Sequence, residues 1–202
     1  YFISGSGNKK TFTKKNLYKI SKSLKSEQHK FNMYLCGGDT TFSNKLSFTI
    51  TSMGYSKKII YRNKAKLNDD IYITGNLGDS YLGLKALTNK AKLKIRDKFF
   101  FVDKYYKPEL PLKLTKYLLK FANSSIDVSD GLIDDLFKMI NKQALSFHLF
   151  EKRIPVSNKL SNLIKKQKLN KTNLIYNGDD YQVLFAADSN KARIIQNTSK
   201  SK

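Results

Sequence analysis

The chain has 202 residues, 40% of them hydrophobic, enough to bury a core in one large or two small domains. Its formal charge of +22 comes from 38 Lys+Arg against 16 Asp+Glu, and only Arg62, Arg96, Arg153 and Arg193 are arginines. Arg is the better planar fork for phosphates and base edges, so lysine scattered along the whole chain argues against a dedicated nucleic-acid-binding module and reads as a solvated surface with long-range attraction for phosphates.

The opening YFISGSG reads as a strand already under way, with no initiator methionine before it, so the chain is expected to be part of a longer protein. Thr13 is placed to cap a helix with Leu17, Ile20 and Leu24 on one face, running to about His29. FNMYLC then reads as a strand, followed by the bare stretch GGDTT. Cys36, the single cysteine, has no internal disulfide partner and reads as a small buried hydrophobe. LSFTITSM alternates as a half-buried strand does, and IIYR reads as one more strand. A boundary is expected near residue 66, giving domains of residues 1–66 and 67–202.

The second domain opens with a β-rich run, DDIYI, and a Gly-containing loop, TGNLGD, leading into a helix that carries Tyr81, Leu84 and Leu87. Further helices are expected at 111–122, 130–142 and 157–167, strands at 124–128, 145–150 and 181–187, and a frayed polar tail, QNTSKSK. The alternation of helices and strands makes the fold class α/β (α+β). No apolar run approaches the roughly 18 residues that span a bilayer, so no membrane partner is expected and the cytoplasm is the default compartment.

Carboxylates are few, yet they recur beside Gly, Ser or Thr at strand boundaries: Asp39 in GGDTT, Asp79 after TGNLG, Asp127 and Asp130 in SIDVSDGL, Asp179 and Asp180 in NGDDYQ. One account is local: Asp39 capping its own turn, Ser129 or Asp130 capping a helix. The other is a cation site, because Mg²⁺ takes hard oxygen ligands, keeps waters and bridges carboxylates to substrate phosphates. Asp134 and Asp135 are assigned to the solvated first turns of the helix. His29 and His148 are isolated, with no zinc-ligand spacing. With no evident general base, phosphoryl transfer to an already anionic acceptor fits best.

GGDTT (37–41), DDIYITGNLGDSYLGL (69–84), IDVSDGL (126–132) and NGDDYQVLF (177–185) resemble, in order and approximate separation, the motifs of thiamine-monophosphate kinase. That enzyme belongs to the aminoimidazole ribonucleotide synthetase-like superfamily. The resemblance implies a partial N-terminal ATP/Mg-binding domain followed by most of the C-terminal α/β domain, without the family's N-terminal and C-terminal parts. It implies ATP-dependent phosphorylation of thiamine monophosphate, with Mg²⁺ as cofactor and a homodimer in the full-length protein. By position, Asp39, Asp127 and Asp130 are implied metal ligands; Gly38, Asp39, Arg62 and Ser129 are implied ATP contacts. Asp179 stands where the family usually has Glu, near the thiamine phosphate. Asn177 replaces a family Gly, and its tolerance of positive φ is expected to preserve the turn. The alternatives are another ATP-dependent member of the superfamily, or a basic nucleic-acid-binding module.

Overall fold

The computed structural model describes residues 1–200 and divides into two compact units, Tyr1–Lys57 and a second beginning at Lys58. In the first, β1 (Phe2–Gly7) is the central strand of three, parallel to β2 (Gly37–Phe42) and antiparallel to β3 (Ser47–Thr51). Between β1 and β2 runs α1 (Lys14–Phe31), capped as its sequence predicts: the Thr13 hydroxyl accepts from the Asn16 N–H at 3.2 Å. The helix continues through Phe31, and Asn32 closes it in the left-handed region at φ 51°. FNMYLC is therefore not the strand. β2 starts at Gly37, so GGDTT is itself strand rather than turn. Gly38 is required by the pairing, since a Cβ there would overlap the Ile3 carbonyl of β1.

This unit has little core of its own. Tyr1 is its only buried hydrophobic residue among those described, and all five residues of β3 are exposed, Phe48 by 40% and Ile50 by 54%. Alternation marked the strand correctly but not its burial. Cys36 is exposed rather than buried, and IIYR forms no strand.

The second unit is organised around an antiparallel trio in the order β4 (Asp69–Ile73), β6 (Val183–Asp188), β5 (Ala122–Asp127). β6 is buried on both faces. Leu184 and Ala186 pack with Leu132, Leu136 and Met139 of α5 (Leu132–Met139); Phe185 and Ala187 pack with Leu118, Phe121 and Ile195. A third cluster of Leu82, Phe101, Leu160, Leu163 and Leu174 joins α2 (Asp79–Leu87), α3 (Ile95–Tyr106), α6 (Asn158–Gln167) and α7 (Lys171–Ile175). The helices α4 (Leu112–Leu118) and α8 (Ala192–Lys200) complete the unit; α3, α7 and α8 were not anticipated from the sequence. Of the tail expected to fray, Gln196 to Lys200 is helical and the last two residues lie outside those described. Residues 145–150 form no strand either: Leu145, Phe147 and Leu149 press on the α5 cluster from an irregular segment. Residues 58–66 pack with this unit, through Ile60 beside Phe185, Ala65 in the α5 cluster, and the Asn63 N–H donating to the Met139 carbonyl at 2.9 Å.

Three buried carboxylates hold the loops at one end of this sheet. Asp135, expected in solvent, is 0% exposed: its Oδ2 accepts the backbone N–H groups of Ser129, Asp130 and Gly131 at 2.9, 3.0 and 3.1 Å, and its Oδ1 accepts from Lys138 Nζ at 2.8 Å. Only Asp134 faces solvent. Asp180, 4% exposed, accepts the N–H groups of Gly78 and Ser80 at the head of α2, at 2.8 and 3.3 Å. Nearby, Asp79 is buried and accepts from the Ser157 hydroxyl at 2.8 Å. Burial pushes Asp180 up to about 7, against the pull of its two backbone bonds and with the help of Asp79. Burial likewise pushes Asp79 up to about 6, against the Ser157 hydrogen bond and the charge of Lys104.

Two stability predictions result. Asp135→Ala strands three N–H groups, leaves Lys138 with Asp130 as its one carboxylate partner and costs about 3 kcal/mol, whereas Asp134→Ala stays within about 0.5 kcal/mol, both read from urea denaturation. For Asp180 and Asp79 the folded state holds its protons above the ordinary carboxylate value of 3.8, so their contribution is fully present below that value and is lost as pH rises through about 6 to 7. Asp180→Asn removes one such group and one acceptor. It is less stable than wild type at pH 5 by about 1 kcal/mol, and the gap narrows by pH 8. A gap that widens with pH would reverse the sign.

Candidate active site

β6 runs antiparallel to both neighbours, so the ends of β4 and β5 and the start of β6 meet at one end of the sheet. Three loops gather there: residues 74–78, 128–131 and 177–182. The second and third interlock. The Asp179 N–H donates to the Ser129 carbonyl at 3.0 Å, the Tyr181 N–H to the Val128 carbonyl at 2.9 Å, and the Val128 N–H to the Gln182 carbonyl at 2.8 Å. The first loop is tied in by the Thr74 N–H donating to the Val183 carbonyl at 3.1 Å, and by the Thr74 hydroxyl, 2.9 Å from Gln182 Oε1.

Glycine makes this approach possible. A Cβ at Gly178 would overlap the Ser129 carbonyl, and one at Gly131, where φ is 133°, would overlap the carbonyl of Tyr176. The left-handed positions of the NGDDY loop are Asp179, at φ 67°, and Tyr181, at φ 50°. Asn177 is not among them. Its side-chain amide instead donates to the Asn173 carbonyl at 2.5 Å, so the replacement of the family Gly there is accommodated without positive φ. Asp and Tyr in that region carry backbone strain that the cross-loop bonds must offset.

The interlock puts Asp130 and Asp179 on adjoining loops, with Asp127 at the end of β5. Partial burial pushes the Tyr181 hydroxyl above its ordinary value, and the charges of Asp179, Asp127 and Asp130, with neighbouring Tyr105, push it the same way. Asp127 and Asp130 are exposed, Asp130 by 64% of its side chain, and Ser129 is half-buried between them in sequence. Lys138 ion-pairs with Asp130 as well as with Asp135. The end of the sheet therefore presents open carboxylate oxygens beside a backbone turn, a donor set suited to a hard cation and an anion together. Among the described residues, no three His, Cys, Asp or Glu side chains form a ready-made metal cage.

The remaining predicted residues are not on these three loops. Arg62 is exposed, and the bond from Asn63 to Met139 anchors its segment at the C-terminal end of α5, about 12 Å of helix from the turn bearing Asp130. Gly38 and Asp39 sit on β2 of the first unit, where the exposed Asp39 carboxylate accepts the Thr40 N–H at 2.7 Å. Tyr181, Lys138, Asp135 and Asp180 escaped sequence reasoning. In the DD doublets at 134–135 and 179–180 one carboxylate is buried to hold backbone, which the doublet by itself does not announce.

No family model matches the chain. Among curated proteins, it is 35% identical over 173 residues to the thiamine-monophosphate kinase of Buchnera aphidicola subsp. Acyrthosiphon pisum, covering 84% of this chain and 53% of that protein. It is 33% identical over 168 residues to that of Haemophilus influenzae, covering 82% and 51%. The chain thus spans about half the length of the curated relatives it matches. In structure it resembles the thiamine-monophosphate kinase of Stenotrophomonas maltophilia K279a, with a TM-score of 0.86 at 23% identity over 99% of this chain and 65% of that one. It also resembles AaThiL complexed with AMPPCP and TMP, with a TM-score of 0.82 at 22% identity over 94% and 62%. These likenesses establish the aminoimidazole ribonucleotide synthetase-like fold, and the sequence matches, with the four ordered motifs, place this chain in the thiamine-monophosphate kinase family.

Proposed function

We propose that the protein bearing this chain transfers the γ-phosphoryl group of ATP to thiamine monophosphate, giving ADP and thiamine diphosphate. The observation that carries the proposal is the pair of interlocked loops at one end of the sheet, one carrying Ser129 and Asp130 directly after Asp127 at the end of β5, the other carrying Asp179. The names of the relatives support it, as does the related structure that holds AMPPCP and TMP.

An oxygen of the thiamine monophosphate attacks the γ-phosphorus, and the bond from that phosphorus to the ADP oxygen breaks in line. A phosphate monoester has its second pKa near ~6, so the acceptor is already anionic and needs no general base. Ser129 and Arg62 are assigned to ATP, Arg62 through a planar fork that can grip two phosphate oxygens. Gly38 is assigned to ATP, Asp39 to ATP and Mg²⁺, and Asp179 to the thiamine phosphate. Asp39, Asp127 and Asp130 would hold Mg²⁺; exposed carboxylate oxygens suit an ion that keeps waters and shares its shell with phosphates. When bound, the ion offsets the repulsion between the two phosphate groups. A homodimer and a cytoplasmic setting complete the proposal; no described helix is long and apolar enough to cross a membrane.

The test uses the protein at its relatives' full length, measuring ADP and thiamine diphosphate formation against Mg²⁺ concentration. Asp130→Asn lowers kcat/KM by about 100-fold with a nearly unchanged melting temperature, because the carboxylate is exposed. Arg62→Lys raises the KM for ATP by about tenfold. Cys36→Ala is silent. Normal turnover by Asp130→Asn would overturn the metal assignment.

A further inference from the structure

We infer that Lys138 is a built-in placeholder for the metal: its ammonium pairs with the Asp130 carboxylate and must leave it when a divalent cation arrives. The inference rests on the metal assignment of Asp130 above. Lys138 lies near the end of α5, and its side chain reaches back along the helix to two carboxylates of different kinds. Asp135 is fully buried and held by three backbone N–H groups, so it cannot move. Asp130 is open to solvent.

The pairing therefore has a fixed end and an exchangeable end. Lys138 is the one cation of the described residues in ion-pair contact with Asp130, and the same ammonium also holds the buried Asp135. An arriving divalent ion provides more charge at the same oxygens, and two cations cannot share that space without repulsion. Lys138 then keeps its 2.8 Å bond to Asp135 and gives up Asp130. Its side chain is 38% exposed, which leaves room for the swing. Lys138 is thus a positioning residue that raises the threshold for metal entry and keeps Asp130 oriented until the ion comes.

The experiment titrates Mn²⁺, as a paramagnetic substitute for Mg²⁺, into the chain and follows free Mn²⁺ by electron paramagnetic resonance, without ATP and then with it. Lys138→Met is expected to bind Mn²⁺ about tenfold more tightly than wild type at low salt. Lys138→Gln retains a donor for Asp135 and shows the same direction of change, which decides the matter if the Met variant does not fold. Lys138→Arg keeps the charge and stays near wild type. The gain vanishes when Asp130→Asn is added. If Asp130→Asn weakens Mn²⁺ binding but neither neutral variant strengthens it, the placeholder is overturned while the metal assignment stands. If the neutral variants weaken binding of Mn²⁺ with ATP, the ammonium serves the phosphates and is not displaced, which also overturns it. If Asp130→Asn leaves Mn²⁺ binding unchanged, both fall.

Discussion

One oxygen of Asp135 accepts three successive backbone N–H groups, and the geometry of the site depends on that convergence. Pulling Ser129, Asp130 and Gly131 toward a single point bends the chain out of β5 and into α5. The bend turns the Ser129 carbonyl toward the neighbouring loop, where it receives the Asp179 N–H. It also leaves the Asp130 side chain outside, in solvent. A buried carboxylate is costly on its own; here three N–H groups, the positive end of the α5 dipole and the Lys138 ammonium offset the cost. Loss of any one of these acts on the turn before it acts on any ligand.

The second loop is held at comparable conformational cost. Tyr181 and Asp179 stand in a backbone region worth roughly 1–2 kcal/mol of strain each for residues with a Cβ. That strain persists because the same residues donate across to Val128 and Ser129, and because Gly178 and Gly131 allow the two backbones to approach so closely. The result is that Tyr181 and Asp179 are presented by backbone geometry rather than by side-chain packing, so small changes in the glycines would displace side chains several residues away.

Much of this was legible in sequence where local physics dominates. Thr13 capped its helix, the helix expected over 130–142 contains α5, and the strand expected at 181–187 is β6, though its burial on both faces was not foreseen. Reading failed where a distant partner decides. Asp135 resembled a solvated helix residue, because nothing in SDGLIDDL announces that the second Asp of the doublet turns back on three preceding amides. GGDTT resembled a turn because its glycines suggested freedom, whereas Gly38 serves a close approach to Ile3 across a parallel pair. The alternation at 145–150 promised a strand, but its apolar side chains found the α5 cluster without any ladder partner. Asp127, Asp130 and Asp179 were singled out from their company of Gly and Ser; Tyr181, whose backbone N–H ties the NGDDY loop to Val128, was not, since an aromatic ahead of a strand is an ordinary core signal.

A chain of charge +22 that concentrates carboxylates at one end of a sheet sets two electrostatic scales against each other. At long range the lysine-rich surface draws in anions, and ATP and a phosphate monoester both qualify. At short range Asp127, Asp130 and Asp179 repel those same phosphates. On the function proposed above, attraction delivers the phosphates without fixing them in place, and close engagement calls for cations at the carboxylates. Lysine on a flexible stem can supply one such charge and withdraw it, as Lys138 is placed to do between Asp135 and Asp130. A buried carboxylate anchoring the turn and one open to solvent thus form a division of labour: the first fixes where the second stands, and only the second is free to change its partner.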